Sequence, residues 1–253
     1  MLNNSRIALS IILVLVGVGC HVQEQDVPPT IFVAAASDLL KVSVPLKKAF
    51  ERSYGTKATF SFGASGNLEQ QIRHGAPFDL YAPAARGFSQ ALLQDGFVEG
   101  GIKFYALGRL AAWSRNIPVQ SLAELKGDGI RRIAIANPAY APYGLAAQQV
   151  LESLGLWSTL QPKLVYADSV AHAFQMAETG NADVALVAIS LVSDMQGYSL
   201  EIASSLHAPI EQTAVVLKSS RNQVAAKAFL DFLGTAEAQK ILREYGFELP
   251  QGS

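Results

Sequence analysis

Short apolar runs alternate with longer stretches of helical period from Thr30 onward. The apolar runs are bounded by small and polar residues, which is typical of buried strands, whereas the longer stretches repeat apolar residues three or four positions apart. The predicted strands cover residues 31–36, 58–62, 79–82, 104–113, 133–136, 163–166, 183–187 and 212–217. The predicted helices cover residues 39–50, 68–73, 88–93, 145–154, 168 onward, 223–233 and 236–244. This alternation predicts an α/β fold in which the first three strands form a parallel sheet.

Two of the predicted strands favour a division into lobes. The run 104–113 is longer than its neighbours and favours a crossing from one lobe to a second, while 212–217 favours a return to the first. We therefore predict lobe one at residues 30–113 and 208–253, and lobe two at 114–207. Two α/β lobes joined by crossing strands imply a ligand cleft between them.

The first 20 residues have the pattern of an export signal. Arg6 precedes an apolar run at 7–16, and small residues then lead to Cys20. The run is too short for a comfortable transmembrane span. The segment resembles a bacterial lipoprotein signal, which implies cleavage of residues 1–19 and lipidation of Cys20, although Gly17 stands where Leu is usual in that family. Ordinary cleavage near Cys20 and an uncleaved anchor are the alternatives.

Composition and charge exclude several classes of function. The chain has 253 residues, with 20 Lys and Arg against 21 Asp and Glu, and no basic stripe, which argues against a nucleic-acid partner. Its single cysteine cannot form an internal disulfide. Residues 20–29 are polar and end in two prolines, which is typical of a tether. No metal site is expected, because metal-ligand spacing is missing from the scattered histidines, His21, His74, His172 and His207.

Four helix starts carry the candidate binding chemistry. They lie at Ser37-Asp38, Ser65-Gly66, Pro142-Tyr143-Gly144 and Ser169-Val170. The first N–H groups of a helix have no partner within it and lie at the positive end of the helix dipole, so an anion is their natural ligand. All four follow the carboxyl ends of strands, where a cleft between facing sheets would bring them together. The alternative is that Ser37 caps its own helix, and Asp38 is expected to turn its side chain to solvent.

A set of short motifs extends in order from Ile31 to Pro250. They are Ala34-Ala35-Ala36-Ser37, Ser65-Gly66-Asn67, Gln71-Ile72, Gly75-Ala76-Pro77-Phe78-Asp79-Leu80, Ile135-Ala136-Asn137-Pro138, Ala141-Pro142-Tyr143-Gly144 and Tyr245-Gly246-Phe247. This ordered set resembles the periplasmic molybdate-binding proteins of ABC transporters. The resemblance implies the type II periplasmic-binding-protein fold, with two α/β lobes joined by two crossing strands. It also implies capture of molybdate, and of tungstate with it, outside the cytoplasm for delivery to an ABC-transporter membrane permease.

The resemblance further implies how the oxyanion is held. Hydroxyl and backbone N–H donors surround the anion in that family, without a basic side chain. The positions of this chain that match the family's donors are Ser37, Asp38, Ser65, Tyr143 and Val170. Many members also carry a donor Tyr where this chain has Ala188, so either Tyr143 replaces that donor or no residue does.

Other interpretations of the same residues stay open. The ligand is another oxyanion, such as sulfate, in one alternative. In a second, Ser65 is the nucleophile of a hydrolase, although Asn67 stands where the nucleophile-elbow motif has Gly. A sensor module of a transcription regulator has similar lobes, but the export signal and the missing helix-turn-helix argue against it. We therefore expect a binding protein that performs no catalysis and needs no cofactor besides its ligand.

Overall fold

The computed structural model describes residues 29–250, which form two α/β lobes. The strands are β1 (Thr30–Ala36), β2 (Lys57–Gly63), β3 (Leu80–Ala82), β4 (Val98–Gly108), β5 (Leu110–Ser114), β6 (Ile133–Ala136), β7 (Leu164–Ala167), β8 (Val184–Ala188), β9 (Tyr198–Glu201) and β10 (Ile210–Leu217). The α-helices are α1 (Ser43–Tyr54), α2 (Ser65–Arg73), α3 (Arg86–Gln94), α4 (Pro142–Ser153), α5 (Trp157–Leu160), α6 (Val170–Glu178), α7 (Ile189–Val192), α8 (Gln223–Phe232) and α9 (Ala236–Glu244). Short 3-10 turns lie at Ser37–Leu39, Leu122–Lys126, Gln161–Lys163 and Ser204–Leu206.

The two sheets share one plan. The strand order is β2-β1-β3-β10-β4 in lobe one and β7-β6-β8-β5-β9 in lobe two. In each sheet the first three strands are parallel, and the fourth, β10 or β5, is antiparallel to its neighbour among them and belongs to the crossing connections. The edge strand, β4 or β9, is antiparallel to that fourth strand. The predicted parallel arrangement of the first three strands is confirmed. Buried parallel strands are apolar throughout, which explains why β6 and β8 lie within one residue of their predicted positions.

The passage between the lobes lies earlier than the sequence suggested. The predicted strand 104–113 is two strands, β4 in sheet one and β5 in sheet two, separated at Arg109. Residues 110–113 therefore belong to lobe two, because β5 pairs with β8 and β9. The return lies between β9 and β10, where Ile210 pairs with Gly108. The apolar run continues across Arg109 because Tyr105 and Ala106 near the end of β4 and all of β5 are buried, so hydrophobicity alone could not place the boundary.

The helix expected to follow Ser37 also begins later than predicted. Ser37–Leu39 form a 3-10 turn, and α1 starts at Ser43. Pro45 explains the break, because proline lacks a backbone N–H and its ring clashes with the carbonyl four residues earlier, at Lys41. Ser37 makes no capping hydrogen bond, so the alternative in which it caps its own helix is wrong.

One strand gave no hydrophobic signal. β9 has the sequence Tyr-Ser-Leu-Glu, lies at the edge of sheet two and is largely exposed. An edge strand needs no apolar face on its solvent side, and polar residues there discourage pairing with other chains.

Each lobe has its own core, and small residues fill the space between them. Phe50 packs edge-on against Phe229 in lobe one, with ring centroids 4.9 Å apart, and Trp113 packs against Phe174 in lobe two at 5.1 Å. Alanines at the cleft side of lobe one, Ala36, Ala64 and Ala84, join the lobe-two core. Their short side chains let the two lobes come into contact.

The expectations for residues 1–28, including the signal and Cys20, lie outside the described part of the chain. Within residues 29–250, no helix combines the length and apolarity that a membrane crossing requires. The same range contains no group of three or more His, Cys, Asp or Glu side chains arranged to hold a metal ion.

Candidate functional site

A small cavity lies between the lobes at the carboxyl ends of their strands. It has about 10 Å³ of room for the centre of a water-sized molecule and is lined by Ala36, Ser37, Asp38, Gly63, Ala64, Ser65, Ala84, Ala141, Pro142, Tyr143 and Val170. The structure therefore brings all five predicted site residues to one place, although they are spread over more than half of the sequence. A larger hollow beside Tyr54 and α8 is lined by residues of lobe one alone, so it is not a site between the lobes.

Ser65 presents its hydroxyl from the start of α2. It is fully buried, and its Oγ accepts a hydrogen bond from the Ala84 N–H at 3.1 Å. The Tyr81 hydroxyl donates to the Ser65 carbonyl at 2.7 Å and fixes the turn. Since the oxygen already accepts a backbone N–H, the hydroxyl hydrogen remains to be donated to a ligand.

Ser37 makes the corresponding contact across the cleft. Its Oγ accepts a hydrogen bond from the N–H of Ala171, in lobe two, at 3.2 Å. The side chain is buried, and its hydroxyl hydrogen remains available as a donor. Ser37 thus ties the lobes together and lines the cavity with one hydroxyl.

Helix α6 leaves a single free donor in its first turn. The His172 N–H donates to the Oγ of Ser169, the N-cap residue, at 3.2 Å, and the Ala171 N–H is taken by Ser37. The Val170 N–H is the one left without a partner within this first turn in the described chain, and Val170 belongs to the cavity lining. The apolar side chain of Val170 plays no part in donation.

Helix α4 offers the Tyr143 N–H in the same way. Pro142 at the first position has no N–H, so Tyr143 supplies the first free one. Gly144 holds the helix close to β6, because a Cβ there would lie 2.2 Å from the carbonyl oxygen of Ala136. Ala188, where many members of the resembled family carry Tyr, ends β8 and is buried.

The expectation that Asp38 turns its side chain to solvent is wrong. Its side chain is fully buried, and Oδ2 accepts a hydrogen bond from Gln212 Nε2 at 2.8 Å. Burial raises the pKa of Asp38 to about 7, against the opposing effects of the Tyr143 hydroxyl, Gln212 and nearby backbone N–H groups. The Tyr143 hydroxyl comes close enough to affect this pKa, but neither it nor Asp38 Oδ1 has a well-formed hydrogen bond within the described chain. The cause of the reorientation is the 3-10 turn, since it replaces the helix that would have directed the side chain outward.

Three residues beneath the cavity escaped sequence analysis. Gln212 bridges Asp38 and Tyr105, whose hydroxyl donates to Gln212 Oε1 at 3.5 Å. Ser190, two residues after Ala188, donates from its Oγ to the Asp38 carbonyl at 2.8 Å. Gln212 did not stand out in the sequence, because its neighbours in β10, Glu211 and Thr213, are polar as well.

The lobes are closed upon each other. Besides the Ser37 and Ser190 contacts, the Gly66 N–H donates to the Tyr140 carbonyl at 2.9 Å. At the cleft rim, Lys41 of lobe one forms an ion pair with Asp194 of lobe two. A ligand held in the cavity would contact both lobes, and the lobes would have to open for it to leave.

The cavity favours a small anion. Its lining contains no Lys, Arg or His, and its donors are hydroxyls and N–H groups at the starts of helices. Helix starts and hydroxyls supply partial positive charge to the cavity without placing a basic side chain there. The room for the centre of a water-sized molecule is about 10 Å³, far below the roughly 300 Å³ or more of typical organic-ligand sites.

Comparison with known proteins gives the family. Residues 31–248 match the family of bacterial extracellular solute-binding proteins. The chain belongs to this family. The molybdate-binding protein ModA of Rhodobacter capsulatus is 39% identical over 222 residues, covering 86% of this chain and 87% of its own. The ModA protein of Azotobacter vinelandii is 35% identical over 253 residues, covering 96% and 98% of the two chains.

A solved structure agrees. The periplasmic molybdate-binding protein of Azotobacter vinelandii superposes with a TM-score of 0.83 at 33% identity, covering 87% of this chain and 100% of its own. The type II periplasmic-binding-protein fold is thereby confirmed. As a member of an extracellular solute-binding family, the protein acts outside the cytoplasm and is not an enzyme. The hydrolase alternative fails accordingly, and the partner of Ser65 Oγ is the Ala84 N–H rather than a base.

Proposed function

We propose that this solute-binding protein captures molybdate, and tungstate with it, and delivers the anion to the membrane permease of an ABC transporter. The observation that carries the proposal is the closed cavity lined by uncharged donors from both lobes. Ser37 and Ser65 donate through hydroxyls, Tyr143 and Val170 through backbone N–H groups, and Asp38 adds its own backbone N–H. The names of the relatives from Rhodobacter capsulatus and Azotobacter vinelandii support the same ligand.

Lobe closure provides the mechanism. Donors from the two lobes can reach one anion together only when the cleft is shut, so the ligand stabilises the closed form by the energy of those shared bonds. Fixed dipoles aimed at the anion need little reorganisation on binding, which favours tight capture. The permease would then recognise the surface that closure brings together.

Protonation and size set the expected selectivity. Molybdate, tungstate and sulfate are fully deprotonated dianions at neutral pH, which suits a cavity of donors. Phosphate keeps a proton near pH 7 that needs an acceptor, and apart from the Asp38 carboxyl the polar groups of the lining are donors, so we expect a mismatch of roughly 1 to 3 kcal/mol. Sulfate has shorter bonds, so its oxygens would lie farther from donors that the two lobes hold fixed.

Calorimetric titration of the purified protein with the four anions tests the proposal. We expect molybdate and tungstate to bind about equally, sulfate more weakly and phosphate weakest. Sulfate binding most tightly would favour the sulfate alternative, and phosphate binding most tightly would contradict a cavity of donors alone. Failure of all four anions to bind would refute the proposed function.

We further propose that Cys20 is lipidated after removal of residues 1–19 and anchors the protein near its permease. An acyl chain adds apolar CH₂ groups that partition into a bilayer. The wild-type protein should then fractionate with membranes when expressed in a bacterium, while Cys20→Ser should not. A soluble wild-type protein would contradict the anchor without affecting the binding proposal.

A further inference from the structure

The carboxyl group of Asp38 lies beneath the anion cavity without a cationic partner. It is fully buried, and its one side-chain hydrogen bond comes from the neutral amide of Gln212 at 2.8 Å. Oδ1 has no partner in the described chain. An ionised carboxylate so placed, next to a site for a dianion, would suffer both desolvation and like-charge repulsion.

Lobe closure creates this environment. Asp38 belongs to lobe one, whereas Tyr143, which faces the carboxyl, belongs to lobe two. A Cβ on Gly108, at the crossing between the lobes, would lie 2.2 Å from the Tyr143 hydroxyl, so the Tyr143 ring packs against the crossing strand β4. When the lobes separate, Tyr143 moves away and water can reach the carboxyl. An Asp in water has a pKa near 3.9 and is ionised at neutral pH.

The titratable groups around Asp38 leave it as the candidate proton acceptor. Burial raises the pKa of Tyr143 and of Tyr105 well above the usual value, so both phenols keep their protons. Lys41 is engaged with Asp194 at the rim. Three other elements pack on the Ser37–Leu39 turn, namely α6, α7 and β2. His172 of α6 is half exposed, and its Nδ1 lies 3.9 Å from Asp168 Oδ2. The neighbouring residue of α7 is the neutral Ser190, and Lys57 of β2 is exposed.

We infer that capture of the anion is coupled to uptake of one proton from solvent, which binds to the carboxyl group of Asp38 as the lobes close. The inference rests on the proposed function and extends it to the regulation of the same site. The Tyr143 hydroxyl oxygen is an acceptor beside the carboxyl for the added proton. Neutral Asp38 then places no negative charge against the dianion.

The sign of the pH dependence follows from linkage. The open form has Asp38 ionised above about pH 4, while the closed form, with a pKa raised to about 7 before any anion adds its charge, holds the proton. Affinity should therefore fall about tenfold for each unit of rising pH between about pH 5.5 and pH 7. Above the pKa of the liganded form both states are ionised, and the dependence should level off.

Titration calorimetry with sodium molybdate at about pH 6, in two buffers with different ionisation enthalpies, counts the protons directly. We expect close to one proton taken up per anion by the wild-type protein. Asp38→Asn should bind with no uptake and lose the pH slope, because its amide has the same shape but does not titrate. His172→Gln is the matched control for the other nearby titratable side chain, and it should keep both the proton uptake and the pH slope.

The outcomes separate the two proposals. If no oxyanion binds at any pH, the proposed function fails; if molybdate binds without proton uptake, only the proton coupling fails. Loss of the uptake in His172→Gln would assign the proton to that side chain and overturn the role of Asp38. If Asp38→Asn does not fold, the infrared difference spectrum of the wild-type protein still decides, since molybdate should produce the carbonyl band of a protonated carboxyl group, and its absence would overturn the inference.

Discussion

The two lobes contribute different kinds of donor to one cavity. In the proposed site, lobe one presents the side-chain hydroxyls of Ser37 and Ser65 besides the Asp38 backbone N–H, whereas the lobe-two donors, those of Tyr143 and Val170, are backbone N–H groups alone. A hydroxyl can be removed by one substitution, but a backbone N–H survives every substitution except proline. The affinity should therefore be sensitive to residue identity on one wall of the cleft and to helix position on the other.

The largest effects are expected on the lobe-one wall. Ser37→Ala and Ser65→Ala each remove a serine hydroxyl that donates a hydrogen bond to the buried, charged ligand. Each should weaken molybdate binding by about 1.5 to 3 kcal/mol, roughly tenfold or more. Ser89→Ala is the control, because Ser89 is a buried serine of the same lobe that bonds to Thr213 away from the cavity. Calorimetric dissociation constants that stay at the wild-type value in both site variants would refute the proposed site.

A smaller effect is expected where the lobes meet. A Cβ on Gly66 would lie 3.2 Å from both the Cα and the carbonyl oxygen of Tyr140 across the cleft. Gly66→Ala should therefore resist closure and weaken binding by about 1 kcal/mol, roughly fivefold, without removing any donor. Gly87→Ala, at a helical glycine with open space around it, should leave the dissociation constant unchanged. Equal behaviour of the two variants would mean that binding does not require this approach of the lobes.

The ion pair at the rim should matter less still. Lys41 and Asp194 are partly exposed, and the Lys41 Nζ also lies 5.6 Å from the centroid of the Phe174 ring in lobe two. Lys41→Met should weaken binding by about 0.2 to 1 kcal/mol, and the difference should shrink as salt is added. The matched variant Lys227→Met breaks an exposed ion pair within α8. Lobe closure does not affect that pair, so the variant should leave binding unchanged. A salt-independent loss would show that Lys41 acts through something other than the pair.

The smallest change in affinity is expected on the lobe-two wall. Val170→Ala keeps the backbone N–H, so the dissociation constant should change less than in Ser65→Ala, by about twofold or less. The side chain is buried, and its loss should cost about 1 to 2 kcal/mol of unfolding free energy, seen as a lower melting temperature. A loss of affinity as large as that of Ser65→Ala would break the contrast between the two walls.

The same contrast explains what sequence analysis recovered at the site. Serines before a predicted helix carry a chemical signal, so Ser37 and Ser65 stand out from residue type alone. Val170 carries none, and only its place after the Ser169 cap and the family resemblance indicated it. Gln212 and Ser190 gave no usable signal, because their roles depend on contacts with Asp38 over 174 and 152 residues of chain.

The sequence by itself determined most of the order of strands and helices, the α/β class and three of the four helix starts, those at Ser65, Pro142 and Val170, because hydrophobic period and helix-start chemistry are local properties. The tertiary structure decided the lobe boundary at Arg109, the partner of the Ser37 hydroxyl 134 residues away and the inward turn of Asp38. Each of these depends on which surfaces meet when the two sheets close on each other. Such pairings arise from burial and geometry summed over both lobes, and no short stretch of chain contains that information.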